Sequence, residues 1–213
     1  IGGWRQLGDD IDGESNINYS GFNVNLSSDG TIVAIGAPYN SPQWASGHYY
    51  KGHVRVYQWN GTDTWTQLGD DIDGEAAYDR FSGLHTGLDL SSDGTIVAIG
   101  ASLNDENGTS AGHVRVFQWN GTDTWIQLGS DIDGDEAGDF FGDVVSLSGD
   151  GSRLAIGAYR FGIDDKQGRV RIYDLVQGPS FSGTITTWSH LLASLQETNT
   201  LRVYYADGSL AFE

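Results

Sequence analysis

The chain has 213 residues and carries 29 Asp and Glu against 11 Lys and Arg, a formal net charge of −18. So acidic a surface excludes a phosphate-backbone binder, and the absence of cysteine excludes a disulfide framework, a thiolate zinc centre and a cysteine nucleophile. No apolar run approaches the roughly 18 residues of a membrane-spanning helix, while 38% hydrophobic and 12% aromatic residues suffice for a folded core.

In chain order, the first segment is WRQLGDDIDG at 4–13, which ends in an acidic Asp-Ile-Asp-Gly turn. Apolar runs at 24–27 and 31–37 flank Ser28-Asp29-Gly30. Asp-Gly between two such runs predicts a tight hairpin, because glycine accepts positive φ. A polar loop follows at 38–51. Residues 53–59 then read as a strand, Asn60-Gly61-Thr62-Asp63 as a turn, and a further strand begins at Trp65. The same pieces return downstream. LSSDGTIVAIGA at 26–37 is repeated unchanged at 90–101 and as LSGDGSRLAIGA at 147–158. GHVRVYQWNGTDTW at 52–65 recurs at 112–125 with Phe117 in place of Tyr57, and as GRVRIYDL at 168–175. WTQLGDDIDG at 65–74 and WIQLGSDIDG at 125–134 echo the first segment, and Trp4, Trp65 and Trp125 stand 61 and 60 residues apart. The chain is therefore built on a repeat of about 60 residues. A fourth strand of the third copy falls at 184–188, and three more strands fall at 190–195, 200–205 and 209–212.

Each copy supplies four short antiparallel strands with glycines and aromatics at fixed places, the unit of a β-propeller blade. No segment keeps a helical period for ten residues, so the expected class is all-β. The expected domain is a single β-propeller over 1–213, with repeats at 22–74, 81–134 and 140–188. The tail 189–213 together with 1–13 would form a closing fourth blade. The alternative is a segment of a larger ring. The strand 33–37 is apolar on both faces, as a strand packed between neighbouring sheets would be. The tryptophan at each fourth strand is expected as an apolar wedge between blades.

Phe141-Gly142, Val145-Ser146-Leu147 and Gly157-Ala158, with Gly36-Ala37-Pro38 in the first copy, resemble the FG-GAP repeat of integrin-α-type propellers. The resemblance covers about residues 4–175. It implies a propeller fold and an extracellular role in adhesion, ligand display or wall structure rather than catalysis. That family carries a D-x-D-x-D-G calcium loop between its two signature elements. Here the stretch is Ser28-Asp29-Gly30, Ser92-Asp93-Gly94 and Gly149-Asp150-Gly151. One carboxylate cannot supply the six to eight oxygens that Ca²⁺ takes. A different Ca²⁺ site is conceivable at the Asp-Ile-Asp-Gly turns, through Asp10, Asp12, Asp71, Asp73, Asp131 and Asp133, completed by Asp79 or Asp139. The competing reading is a solvated acidic turn. The tail run Leu201-Arg202-Val203-Tyr204-Tyr205 through Glu213 is similar to a blade of fucose-binding lectin propellers. That similarity implies sugar contacts from Arg202 and Glu213.

Catalysis finds little support. His53 and His113 recur at equivalent strand starts, which marks them as part of the repeat, and no nucleophile–base–orienter set stands out. N-x-S/T acceptor patterns occur at Asn18, Asn25, Asn60, Asn107 and Asn120. The expectation is a secreted, non-enzymatic, structural or adhesive propeller. Its partners would be proteins or glycans of the matrix or cell surface, or further copies of itself. A carbohydrate-binding lectin is the alternative, and a glycoside-acting hydrolase a more distant one.

Overall fold

The computed structural model describes residues 2–41, 49–82, 86–160 and 167–175, and the backbone of 203–204 and 210–212. Contacts divide the chain into two units, Ile1–Leu175 and Val176–Glu213. No helix occurs among the described residues, and none there is long and apolar enough to cross a membrane.

The first unit holds three antiparallel sheets. Sheet one is β1 (Asn23–Leu26), β2 (Ile32–Ala37), β3 (His53–Trp59), β4 (Trp65–Gln67) and β5 (Ile72–Asp73). Sheet two repeats it as β6 (Leu88–Leu90), β7 (Ile96–Ala101), β8 (His113–Trp119), β9 (Trp125–Gln127) and β10 (Ile132–Asp133). Sheet three is β11 (Phe141–Leu147), β12 (Arg153–Ala158) and β13 (Arg169–Asp174). Register is conserved between copies: Ala37 opposes His53 as Ala101 opposes His113, and Trp59 opposes Trp65 as Trp119 opposes Trp125. In the second unit β14 (Val203–Tyr204) pairs antiparallel with β15 (Leu210–Phe212). The strands expected at 184–188 and 190–195 lie outside the described residues. No closed ring is seen among the described residues.

The strand that begins at Trp65 is followed by a second short pairing on the same neighbour. β4 and β5 both pair with β3, one at each end, and residues 68–71 leave the ladder between them. Gly69 turns the chain there at φ +68°. The Leu68 amide still donates to the Val56 carbonyl at 2.8 Å. Its own carbonyl is turned to the next copy and accepts from the Trp125 indole Nε1 at 2.9 Å. Trp65 makes the same bond to the Leu7 carbonyl at 3.0 Å. The tryptophan is thus an interlock between copies as well as an apolar body.

Two cores lie between the sheets. Ile32, Ala34, Val54 and Val56 of sheet one pack with Leu88, Leu90, Val97 and Ile99 of sheet two. Ile96, Ala98, Val114 and Val116 of sheet two pack with Val145, Leu154 and Ile156 of sheet three. Alternate residues of β7 therefore serve opposite cores, which explains why this strand is apolar throughout. The Ser-x-Asp-Gly turns are also joined: the Ser28 amide donates to the Ser92 carbonyl and the Ser92 amide to the Gly149 carbonyl, each at 2.8 Å. The outermost faces differ. Val24 and Leu26 are 64% and 57% exposed, although their counterparts Leu88 and Leu90 are 5% and 6% exposed. Val170 and Ile172 are equally open at the other side, where Val114 and Val116 are buried.

Candidate functional site

The charged residues collect where the Asp-Ile-Asp-Gly turn meets the start of β3 or β8. Local chemistry places the first acid. In all three copies the Gln of W-x-Q-L-G donates to the Asp four residues on: Gln6 to Asp10 at 2.9 Å, Gln67 to Asp71 at 2.8 Å and Gln127 to Asp131 at 2.7 Å. Pairing of β5 and β10 then brings Asp71 and Asp131 beside the histidine and arginine of the neighbouring strand.

In the first copy Arg55 donates twice to Asp71, Nε to Oδ1 at 2.8 Å and Nη2 to Oδ2 at 3.2 Å. It also pairs with Glu14. His53 Nδ1 stands 3.3 Å from Asp71 Oδ2. Burial alone would raise the Asp71 carboxyl, but the Arg55 and Gln67 bonds outweigh it and hold the group below the ordinary carboxylate range. Burial depresses His53, keeping the imidazole neutral.

The second copy is rearranged. Arg115 donates to Gln127 Oε1 through Nε at 3.0 Å and Nη2 at 2.9 Å, and to the Asp73 carbonyl at 3.2 Å. It stays 3.6 Å from Glu75 and 3.8 Å from Asp131, and it stacks over the Phe81 and Phe117 rings. In the third copy Arg169 stands at the histidine position, and both Arg169 and Arg171 pair with Asp135. Glu14, Glu75 and Asp135 are the same residue of the repeat. Glu75 and Asp135 each reach from the end of one sheet to the cations of the next, and Glu14 does so from the segment before β1. These cross-copy acids stand directly after each D-I-D-G run, but only the stacking of copies shows what they face.

No family model matches the chain, and no curated protein does.

The acids expected as calcium ligands lie in three separate copies of the turn. Asp10 and Asp12 are exposed, Asp71 is committed to Gln67 and Arg55, and Asp131 Oδ1 accepts from Gln127. Asp73 lies on β5 and Asp133 on β10. Asp79 accepts from the Ala76 amide at 3.0 Å and from Asn104 at 3.3 Å, and burial raises its carboxyl. Asp139 caps the equivalent turn through the Glu136 amide at 3.2 Å. The Ser-x-Asp-Gly turns are self-satisfied. Asp29, Asp93 and Asp150 each accept from the serine hydroxyl two residues before and from the amide and hydroxyl two residues on. For Asp150 these bonds, that from Ser148 foremost, lower the carboxyl to about 2.

Of the glycosylation candidates, Asn60, Asn107 and Asn120 are exposed. The Asn60 and Asn120 amides donate to Asp63 and Asp123 at 3.0 Å. Asn18 is buried, and Asn25 donates across the sheets to Asp89 at 2.7 Å. Arg202 and Glu213 lie outside the described residues, as do His48, His85 and His190.

Proposed function

We propose that the chain is a run of propeller-type blades from an extracellular FG-GAP-like repeat protein, with a structural or adhesive role and no catalysis. The observation that supports this most is the reuse of one interface. The positions that bury Leu88 and Leu90 on one side of a sheet, and Val114 and Val116 on the other, stand open as Val24, Leu26, Val170 and Ile172 at the two outer faces. Apolar faces of this kind suit docking of a further blade or copy. Repeated acidic loops along one array suit multivalent contact with matrix or cell-surface partners.

Light scattering on the purified chain tests the assembly. Concentration-dependent association that Val24→Lys abolishes is the expected result. A monomer at every concentration would remove assembly from this reading. A role for Ca²⁺ at Asp10, Asp12, Asp71, Asp73, Asp131 and Asp133 belongs to the same proposal. An EDTA-induced fall in melting temperature supports it, and an unchanged melting temperature removes it.

A further inference from the structure

His113 opens β8 with its side chain 0% exposed. Its Nδ1 lies 3.4 Å from Asp131 Oδ2, yet off the hydrogen-bonding direction, and neither ring nitrogen has a hydrogen-bond partner. An unsatisfied buried polar group costs about 1–3 kcal/mol. A ring nitrogen of His113 and one carboxylate oxygen each from Glu75, Glu106 and Asp131 all lie within 4.8 Å of one another. That spacing is near twice the roughly 2.0–2.2 Å of metal–nitrogen and metal–oxygen bonds, so small side-chain adjustments would close it on a single ion. The carboxylates come from three places: the end of sheet one, the loop between β7 and β8, and the loop before β10. Asp133 adds a buried Oδ1 that also lacks a partner.

The other copies show what this place in the repeat accommodates. In the third, Arg169 stands where His113 does and meets Asp135, the counterpart of Glu75. In the first, Arg55 closes on both Glu14 and Asp71. In the second, Arg115 is held on Gln127 and the Asp73 carbonyl and makes only the longer contacts to Glu75 and Asp131. Glu75, Glu106, Asp131 and Asp133 thus face one guanidinium and a buried imidazole.

We propose that His113, Glu75, Glu106 and Asp131 bind a divalent first-row transition-metal ion between sheets one and two. One imidazole nitrogen with three carboxylate oxygens suits Zn²⁺ or Mn²⁺, whereas Ca²⁺ takes oxygen ligands alone. The site is therefore chemically distinct from an all-oxygen calcium site in the D-I-D-G turns. The ion completes, across two copies, the contact that arginine completes in the other copies.

The test is calorimetric titration of ZnCl₂ and, separately, MnCl₂ into the full chain freed of metal by EDTA and exchanged into clean buffer. One ion per chain is expected, with Ca²⁺ binding weaker. Glu106→Gln should weaken binding at least about tenfold, and Glu14→Gln should leave it unchanged. Glu106 is exposed, so its variant keeps the fold, as circular dichroism checks. Mn²⁺ should also broaden the His113 imidazole NMR signals. The proposal is overturned if neither ion binds the folded chain, if binding survives both Glu106→Gln and Glu75→Gln, or if Ca²⁺ binds as tightly as Zn²⁺ and Mn²⁺.

Discussion

Burial holds the His53 imidazole below its ordinary range. The unfolded chain therefore binds a proton that the folded chain resists. The linked stability is fully present above the unfolded value of about 6.5 and is lost as pH falls from there toward the folded value. Melting temperature should drop between neutral pH and about pH 5, and His53→Gln should flatten that profile over the same window. A profile unchanged by the substitution would mean that other groups carry the acid sensitivity. Turn residues act at the same scale. Asp93 accepts three hydrogen bonds on one oxygen, so Asp93→Ala should cost about 1–2 kcal/mol in urea denaturation. The turn was legible in the sequence because Ser-x-Asp-Gly is a local device. The cross-copy partners of Glu75 were not, because nothing within about ten residues of it names Arg115.

Identical strands meet different surroundings according to where they stand in the array. β2, β3, β7 and β8 fall where the apolar runs and the Asp-Gly and Asn-Gly turns placed them. The division of the fourth strand into β4 and β5 was not legible, since it depends on the Leu68 carbonyl finding an indole in the next copy. The glycine before β8 is similarly constrained. Gly112 sits at φ +80°, and a Cβ there would collide with the Phe141 backbone. Gly112→Ala should cost more than about 1 kcal/mol and displace the start of β8. A sharper comparison uses one repeat position twice. Val114 is 0% exposed and Val170 is 68% exposed. Val114→Ala should cost about 2 kcal/mol or more, and Val170→Ala within about 0.5 kcal/mol. Equal losses in urea titrations would show that the outer face of sheet three is covered in solution.

At the scale of the molecule, the acidity proves to be largely architectural. The aspartates of Ser-x-Asp-Gly cap hairpins, and those of D-I-D-G-E engage glutamine, histidine and arginine within and between copies. All-β class, repeat length and the positions of β1–β3, β6–β8 and β11–β13 followed from self-similarity. Ring closure and ligands did not, because they depend on surfaces that the repeat presents at its ends rather than on the repeat itself. The double substitution Val24→Lys with Ile172→Lys should leave the circular dichroism spectrum intact while suppressing association in sedimentation velocity. Association that persists would locate the contact elsewhere.

The bonds from Ser28 to Ser92 and from Ser92 to Gly149 link the hairpin turns of the three sheets in series. The middle turn donates once to the copy after it and accepts once from the copy before it, while the first turn donates and the third accepts. Inserting or deleting one whole copy therefore leaves every remaining donor and acceptor matched, and the tryptophan-to-leucine bond obeys the same arithmetic. An unequal crossover between the near-identical 60-residue segments would change the length of the array without breaking its bonding pattern. Variants with one whole copy inserted or deleted should therefore fold alike, with the same circular dichroism spectrum per residue.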